Sequence, residues 1–532
     1  MNLKFLSILS FLFLAVACSD DSPAAPEVPD TPDLPNSVEK LVTINAGQTF
    51  QTLAGFGASD CWAPAFVGKT WTKNRAGIAE LLFSSEIVNG LPKGIGLSQW
   101  RVNLGGGSAE QGDVSGIEDK SRRAESYLTD HLTLDWTRCE GQRYFMSRAK
   151  ELGCNHFILF SNTPPVQYTY NGKGFSNRGG FSNLKPEHYG DFAEYMADVM
   201  AHYLKDGYAV SHISPVNEPQ YNWEGGQEGS GWTNDEVAGL ARYLDTALTT
   251  RNITSDILLG ESGDWEYLYK TKNDANHSNV LSDFFTPGSS AYVGDLAHVK
   301  KLICGHSYWT DGTWDGMRSV RKQVAQAAAR YNLDVWQSEW SMLGDGYSSS
   351  EFVGYDQASE MDIALYMSKV IHNDLTVAGV ASWSFWTAMD VSRWEHKNRF
   401  ILISLLPAGG QYGDIEKEGT YQATATLWVL GNYSRFIRPG YQRIALDLNE
   451  SRSFFGSAWL SPEKDKIVTV YTNLAEKAVR LGETHMGWSG EVQSITTYTT
   501  KSGKNLQEMT VAANQPVILE AGSVTTVVYN LK

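Results

Sequence analysis

Residues 186–216 read PEHYGDFAEYMADVMAHYLKDGYAVSHISPV, and this stretch decides the fold. Pro186 can open a helix, because the N–H it lacks has no partner in a first turn. Tyr189, Phe192, Ala193, Met196, Val199, Met200 and Tyr203 then recur at helical spacing and mark one buried face. Gly207 follows the helix end, and His212-Ile213-Ser214-Pro215-Val216 reads as a strand. The unit repeats along the chain. A helix is expected over roughly 317–331, followed by strand 335–338. Another spans roughly 357–375, followed by Val380-Ala381-Ser382-Trp383-Ser384-Phe385-Trp386. Eight candidate strands begin near Gly55, Leu97, His156, His212, Ile257, Lys301, Val335 and Val380. Repeated βα units predict an α/β fold, a (β/α)8 TIM barrel over 53–434.

From about residue 435 the pattern changes. Short alternating stretches at 467–471, 492–498 and 523–529 are punctuated by Gly, Asn and Lys. They predict a fused β-sandwich side domain over 435–532. Residues 39–52 also alternate and are expected to add a strand, so that both chain ends build this domain. At the front, Lys4 and the apolar run 5–17 read as a signal peptide over 1–17, too short to span a bilayer. It ends Ala15-Val16-Ala17-Cys18. An A-x-A cleavage site suits ordinary secretion, whereas a small residue directly before Cys18 suits lipidation of that cysteine. Ser19-Asp20-Asp21 and a Pro- and Asp-rich tether over 18–38 favour the lipoprotein, although Leu14 sits one position early. Acidic residues after such a cysteine resemble surface-export signals of bacterial lipoproteins. They imply an outer-membrane lipoprotein at the cell surface, with periplasmic or secreted forms as alternatives.

Of 532 residues, 42% are hydrophobic, enough for a sizeable core. A net charge of −16 disfavours nucleic acid and anionic membrane as partners. Apart from Cys18, the cysteines are Cys61, Cys139, Cys154 and Cys304; without C-x-x-C spacing a zinc site is not expected. Disulfides and buried thiols both remain open for these four. No metal and no cofactor is expected, and the chain is expected to be a monomer.

Active sites of such barrels lie at the C-terminal ends of the strands. The residues falling there are Asp60, Arg101, Asn103, Asn162, Asn217, Glu218, Glu261, His306, Tyr308, Glu339 and Trp386. Pro215-Val216-Asn217-Glu218-Pro219 puts a carboxylate at the end of the fourth strand, and Gln337-Ser338-Glu339-Trp340 puts one at the end of the seventh. A lone strand-end Glu often only anchors a loop. Two that face one pocket suit glycosidic-bond hydrolysis, which needs one carboxylic acid to protonate the leaving oxygen. A retaining enzyme needs a second as nucleophile. Glu224, Glu228 and Glu261 are spare carboxylates. Asp311-Gly312-Thr313-Trp314-Asp315-Gly316 lacks the distal Glu of a calcium loop and reads as a plain loop. Gly105-Gly106-Gly107 is expected to let the backbone turn beside the site. Of the 17 Trp, 25 Tyr and 21 Phe, most serve packing, and a handful at strand ends are candidates for stacking on sugar rings.

Across residues 40–532 the sequence resembles glycoside hydrolase family 30, of the clan of retaining (β/α)8 glycosidases. Leu53-Ala54-Gly55-Phe56-Gly57-Ala58-Ser59-Asp60, Trp100-Arg101-Val102-Asn103 and Ser161-Asn162-Thr163-Pro164-Pro165 are similar to its first three strand motifs. Asn217-Glu218-Pro219 matches the acid/base motif and Ser338-Glu339 the nucleophile motif. The resemblance implies Glu218 as acid/base, Glu339 as nucleophile and Arg101 as its ion-pair partner. It implies substrate contacts from Asn162, Asn217 at the 2-hydroxyl, Tyr308 beside the nucleophile, Asp60 at outer hydroxyls and Trp386 as the floor. Many relatives carry Trp soon after the third-strand Pro-Pro; Val166-Gln167-Tyr168 stands here, so Tyr168 is the candidate replacement. Trp223 and Gln227-Glu228-Gly229 look most like the branch that cleaves β-1,6-galactan on arabinogalactan side chains. A β-1,6-glucanase is the near alternative, and a surface glycan-binding lipoprotein the non-enzyme one.

Overall fold

Eight parallel strands form the ring that positions everything else: Gly55–Ser59, Gln99–Asn103, His156–Phe160, Val210–Ser214, Asp256–Ile257, Leu302–His306, Asp334–Trp340 and Ser382–Phe385. The computed structural model describes residues 38–343, 351–392, 398–409, 414–488, 490–512 and 515–532; the expected signal peptide, Cys18 and residues 19–37 lie outside them. The eighth strand pairs with the first, Ser382 opposite Gly55. The fifth strand is only two residues long. It joins the sixth through a parallel bridge between Ser262 and Gly305 and through the Cys304 N–H to the Leu259 carbonyl at 3.0 Å. The barrel thus closes, as expected. Its interior is narrow: a Cβ on Gly57 would stand 2.9 Å from the Ser384 hydroxyl and 3.0 Å from Gln99.

The helix read at 186–205 exists as a short 3₁₀ turn, Pro186–His188, leading into Tyr189–Lys205, with Phe192, Met196, Val199, Met200 and Tyr203 buried. The strand after it is Val210–Ser214, so Pro215 and Val216 fall beyond its end. Proline has no N–H to donate to a neighbouring strand, and pairing stops there. The helix near 317 begins earlier, at Trp314, because Thr313 caps it by accepting from the Gly316 N–H. The helix near 357 begins later, at Glu360, where Ser359 and Asp362 form a capping box. It widens into a π turn, Asp374–Ala378, before the eighth strand.

The side domain is one continuous nine-stranded sheet. The N-terminal strand Val38–Thr52 lies inside it, antiparallel to Gln442–Leu448 and parallel to Val479–Met486. Its strands alternate. Ile467, Tyr471, Val527 and Tyr529 pack with Val42 and Ile44 in the sheet's own core. Val468, Val470 and Val524 face the other way and join the barrel core. Polar ties cross this seam: Ser368 to Thr472 at 3.0 Å and Asn432 to the Tyr498 carbonyl at 2.8 Å. Cys61, Cys139, Cys154 and Cys304 are free, buried thiols. Among the described residues no helix is long and apolar enough to cross a membrane.

Candidate active site

Past the fourth strand the chain doubles back, and the Glu218 N–H bonds the Glu261 carbonyl at 2.9 Å. Glu218 has φ +42°, in the left-handed region that side chains other than glycine's rarely adopt. Backbone strain of this kind gathers at working sites. On the facing side Glu339 stands in the seventh strand, level with His306 at the end of the sixth. Oxygens of Glu218 and Glu339 and a nitrogen of His306 all lie within 4.8 Å of one another.

Two cations organise these carboxylates. Arg101, in the second strand, sends Nη1 to Glu339 Oε2 at 2.7 Å and Nη2 to Asn217 Oδ1 at 2.8 Å and Glu261 Oε2 at 3.3 Å. Its guanidinium lies 3.6 Å over the Phe160 ring. His306 bonds Glu218 through Nδ1 at 2.8 Å and Glu261 through Nε2 at 2.9 Å. Tyr308 donates its hydroxyl to Glu339 at 3.1 Å. Burial alone would lower the His306 pKa, but the carboxylates of Glu339, Glu218 and Glu261 outweigh it and push it up to about 10. Burial alone would raise Glu261, but Arg101 and His306 hold it down to about 2. Burial raises Glu339; His306 and Arg101 pull it back only in part, while Glu218 and Glu261 push it further up.

The cleft above is about 260 Å³. Glu218, Glu339, Asn162, Asn217 and Tyr308 line it together with the charged Arg122, Asp390 and Arg399, and Trp62, Trp223 and Trp386 are among its aromatic walls. Trp386 meets Trp62 edge-on, ring centroids 5.2 Å apart. Asn217 spends its carbonyl oxygen on Arg101, and its amide nitrogen has no protein partner among the described residues.

Two of the expected site residues, Arg101 and Asp60, do not line this cleft. Arg101 is 1% exposed and acts beneath Glu339. Asp60 is likewise 1% exposed; its oxygens accept the Asn103 N–H and the Gln142 amide, each at 2.8 Å. Burial outweighs those bonds and raises its pKa to about 7. A carboxyl so enclosed ties the first and second strands together. Tyr168 does not replace the missing tryptophan, since it is buried and stacks on His188 at 4.8 Å. Trp62 and Trp223 supply aromatic surface instead. Glu228 is also structural: it accepts from the N–H groups of Gly106 and Ser108 at 2.8 and 3.0 Å and pins the glycine loop. A Cβ on Gly106 would stand 2.5 Å from Thr163. The sequence reading gave His306 no task; its only signal was a histidine at a strand end between two strand-end glutamates.

The model of O-glycosyl hydrolase family 30 matches residues 39–401. An endo-β-1,6-galactanase of Hypocrea rufa is 26% identical over 425 residues, 75% of each chain. Glucuronoxylanase XynC of Bacillus subtilis is 25% identical over 361 residues, 66% of this chain and 70% of its own. Among solved structures, a conserved exported protein of Bacteroides fragilis superposes with a TM-score of 0.85 at 29% identity, over 92% of this chain and 100% of its own.

Proposed function

The chain belongs to O-glycosyl hydrolase family 30 and is an O-glycosidase, and from that premise we propose that it cleaves a β-linked polysaccharide with retention, Glu218 acting as acid/base and Glu339 as nucleophile. The observation that carries this reading is the approach of the two carboxylates, with oxygens within 4.8 Å. Retaining enzymes hold the pair about 5–5.5 Å apart, inverting ones about 6.5–9.5 Å.

The roles follow from the partners. Arg101 and Tyr308 bond Glu339, aim it, and favour its charged form against the burial that raises it. Glu218, facing it across the cleft, serves as the proton donor. A Glu339 oxygen attacks the anomeric carbon as the glycosidic bond breaks, and Glu218 gives its proton to the departing oxygen. In the second step Glu218 takes a proton from water, whose oxygen displaces Glu339 from the sugar. The free amide of Asn217 suits the 2-hydroxyl, where hydrogen bonds tighten in the transition state. Asn162 and Trp386 complete the sugar pocket.

For the substrate, β-1,6-galactan of arabinogalactan side chains is supported by the Hypocrea rufa relative and by the Trp223 and 227–229 stretch, with cleavage within the chain. Export rests on the 1–17 segment and on the exported Bacteroides fragilis protein, and lipidation at Cys18 of a monomer follows the sequence reading. The test is reducing-sugar release from de-arabinosylated arabinogalactan, with linkage analysis of the products. Glu218→Gln and Glu339→Gln should each lose orders of magnitude in rate. Near-full activity in both variants would overturn the residue assignment. Release from β-1,6-glucan or xylan alone would overturn the galactan reading.

A further inference from the structure

The Glu218 side of the cleft carries a run of aromatic rings that the reaction itself does not use. The Glu218 carbonyl accepts both the Tyr221 N–H at 3.2 Å and the Trp223 indole N–H at 3.1 Å. Trp223 lines the cleft, and a Cβ on Gly229 would stand 2.5 Å from its ring, so that glycine seats it. Tyr221 meets Trp223 edge-on at 5.8 Å and lies over Gly263, where a Cβ would come within 2.7 Å of its ring. Its hydroxyl accepts the indole N–H of Trp309 at 3.0 Å. Trp309 follows the sixth strand, is 53% exposed and has φ +60°. A tryptophan held in left-handed backbone, its one polar atom satisfied and its ring left in water, is not placed there by core packing.

We propose that Trp309 is a stacking platform for a pyranose unit on the leaving-group side of the cleft, reached from Trp223 across Tyr221. The inference rests on the reading that Glu218 protonates the leaving oxygen, because the acid marks the side on which the departing chain lies. The ligand is a neutral carbohydrate chain that presents the apolar face of a sugar ring. The platform gives the enzyme a hold on sugars beyond the scissile bond, as attack within a chain requires.

The test compares Trp309→Ala with the parent on polymer and on the 4-nitrophenyl glycoside of the same sugar, which has no sugar on that side. The ratio of polymer to aryl-glycoside kcat/KM should fall roughly three- to tenfold, through KM, and Trp309→Phe should restore most of it. An unchanged ratio overturns the proposal. A second arm does not need cleavage. In the Glu339→Gln background, migration is followed in native gels containing debranched arabinogalactan, β-1,6-glucan or glucuronoxylan. Retardation that weakens with Trp309→Ala in any one gel supports the platform, even where the galactan reading fails. Equal migration with and without Trp309 in all three overturns it.

Discussion

The imidazole of His306 stands 2.8 Å from the carboxylate of Glu218 and shares its other nitrogen with Glu261 at 2.9 Å, so one buried cation connects the proposed proton donor to a permanent anion. Glu261 never meets substrate in this arrangement. It holds His306 charged, and His306 holds Glu218 in place.

Replacing His306 by Gln removes a positive charge from a group of three carboxylates. Glu339 then gives up its proton less readily, since a lost neighbouring cation disfavours the anion. The acid limb of the pH profile of kcat/KM should move to higher pH, by about one unit. An acid limb that stays in place would show that His306 only fills space.

Arg101→Lys keeps the charge and loses the fork. One ammonium cannot bond Glu339, Asn217 and Glu261 with the geometry a planar guanidinium provides. A fall of about 10²-fold in kcat/KM is expected with the fold retained, as small misplacements at a reacting centre cost that much. Near-parental kinetics would remove Arg101 from the positioning of Glu339.

Asn217→Ala should act through the sugar's 2-hydroxyl. On a substrate with that hydroxyl kcat falls by about 10²-fold, the effect of a few kcal/mol made in the transition state. On the 2-deoxy analogue the same substitution should change little. Equal losses on both substrates would contradict the contact.

Stability should peak on the acid side. Asp60 and Glu228 titrate near 4 when unfolded and are pushed up by burial to about 7 when folded. Their contribution is complete below the unfolded value and is lost as pH rises through 7. His306, raised to about 10, adds stability that is complete below about 6.5 and lost towards pH 10. Glu261, lowered to about 2, works oppositely: its contribution is present above about 4.5 and lost as pH falls. The melting temperature should be highest at about pH 5 and decline towards pH 10.

Glu228→Gln tests one part of that profile. An amide has a single acceptor oxygen for donors that bond both oxygens of Glu228, so the folded state should lose about 1–3 kcal/mol. The decline between pH 5 and 7 should flatten, because the titrating group is gone. A decline as steep as the parent's would acquit Glu228.

The repeating barrel units were legible because a buried helix face and a strand each impose a period on apolar residues, as 186–216 shows. Proline and capping residues marked most boundaries to within a few positions; the starts at Trp314 and Glu360 moved because Thr313 and Ser359 are the residues able to cap. The paired carboxylates at 218 and 339 were legible from their places at strand ends. The burial of Asp60 and Tyr168 was not legible, because exposure at a strand end depends on which neighbour arrives above it. No local pattern announces that Gln142 will cover one and His188 the other.

Local order along the chain thus determined the barrel, the added N-terminal strand and which carboxylates stand at the rim, since these follow from short-range periodicity and from chain direction. Only the tertiary structure decided what each rim residue does. Charge balance among Arg101, His306 and three glutamates, the burial of Asp60 and the alignment of Trp223, Tyr221 and Trp309 depend on distances between segments far apart in sequence. Electrostatics and packing act through those distances, and they exist only once the ring has closed.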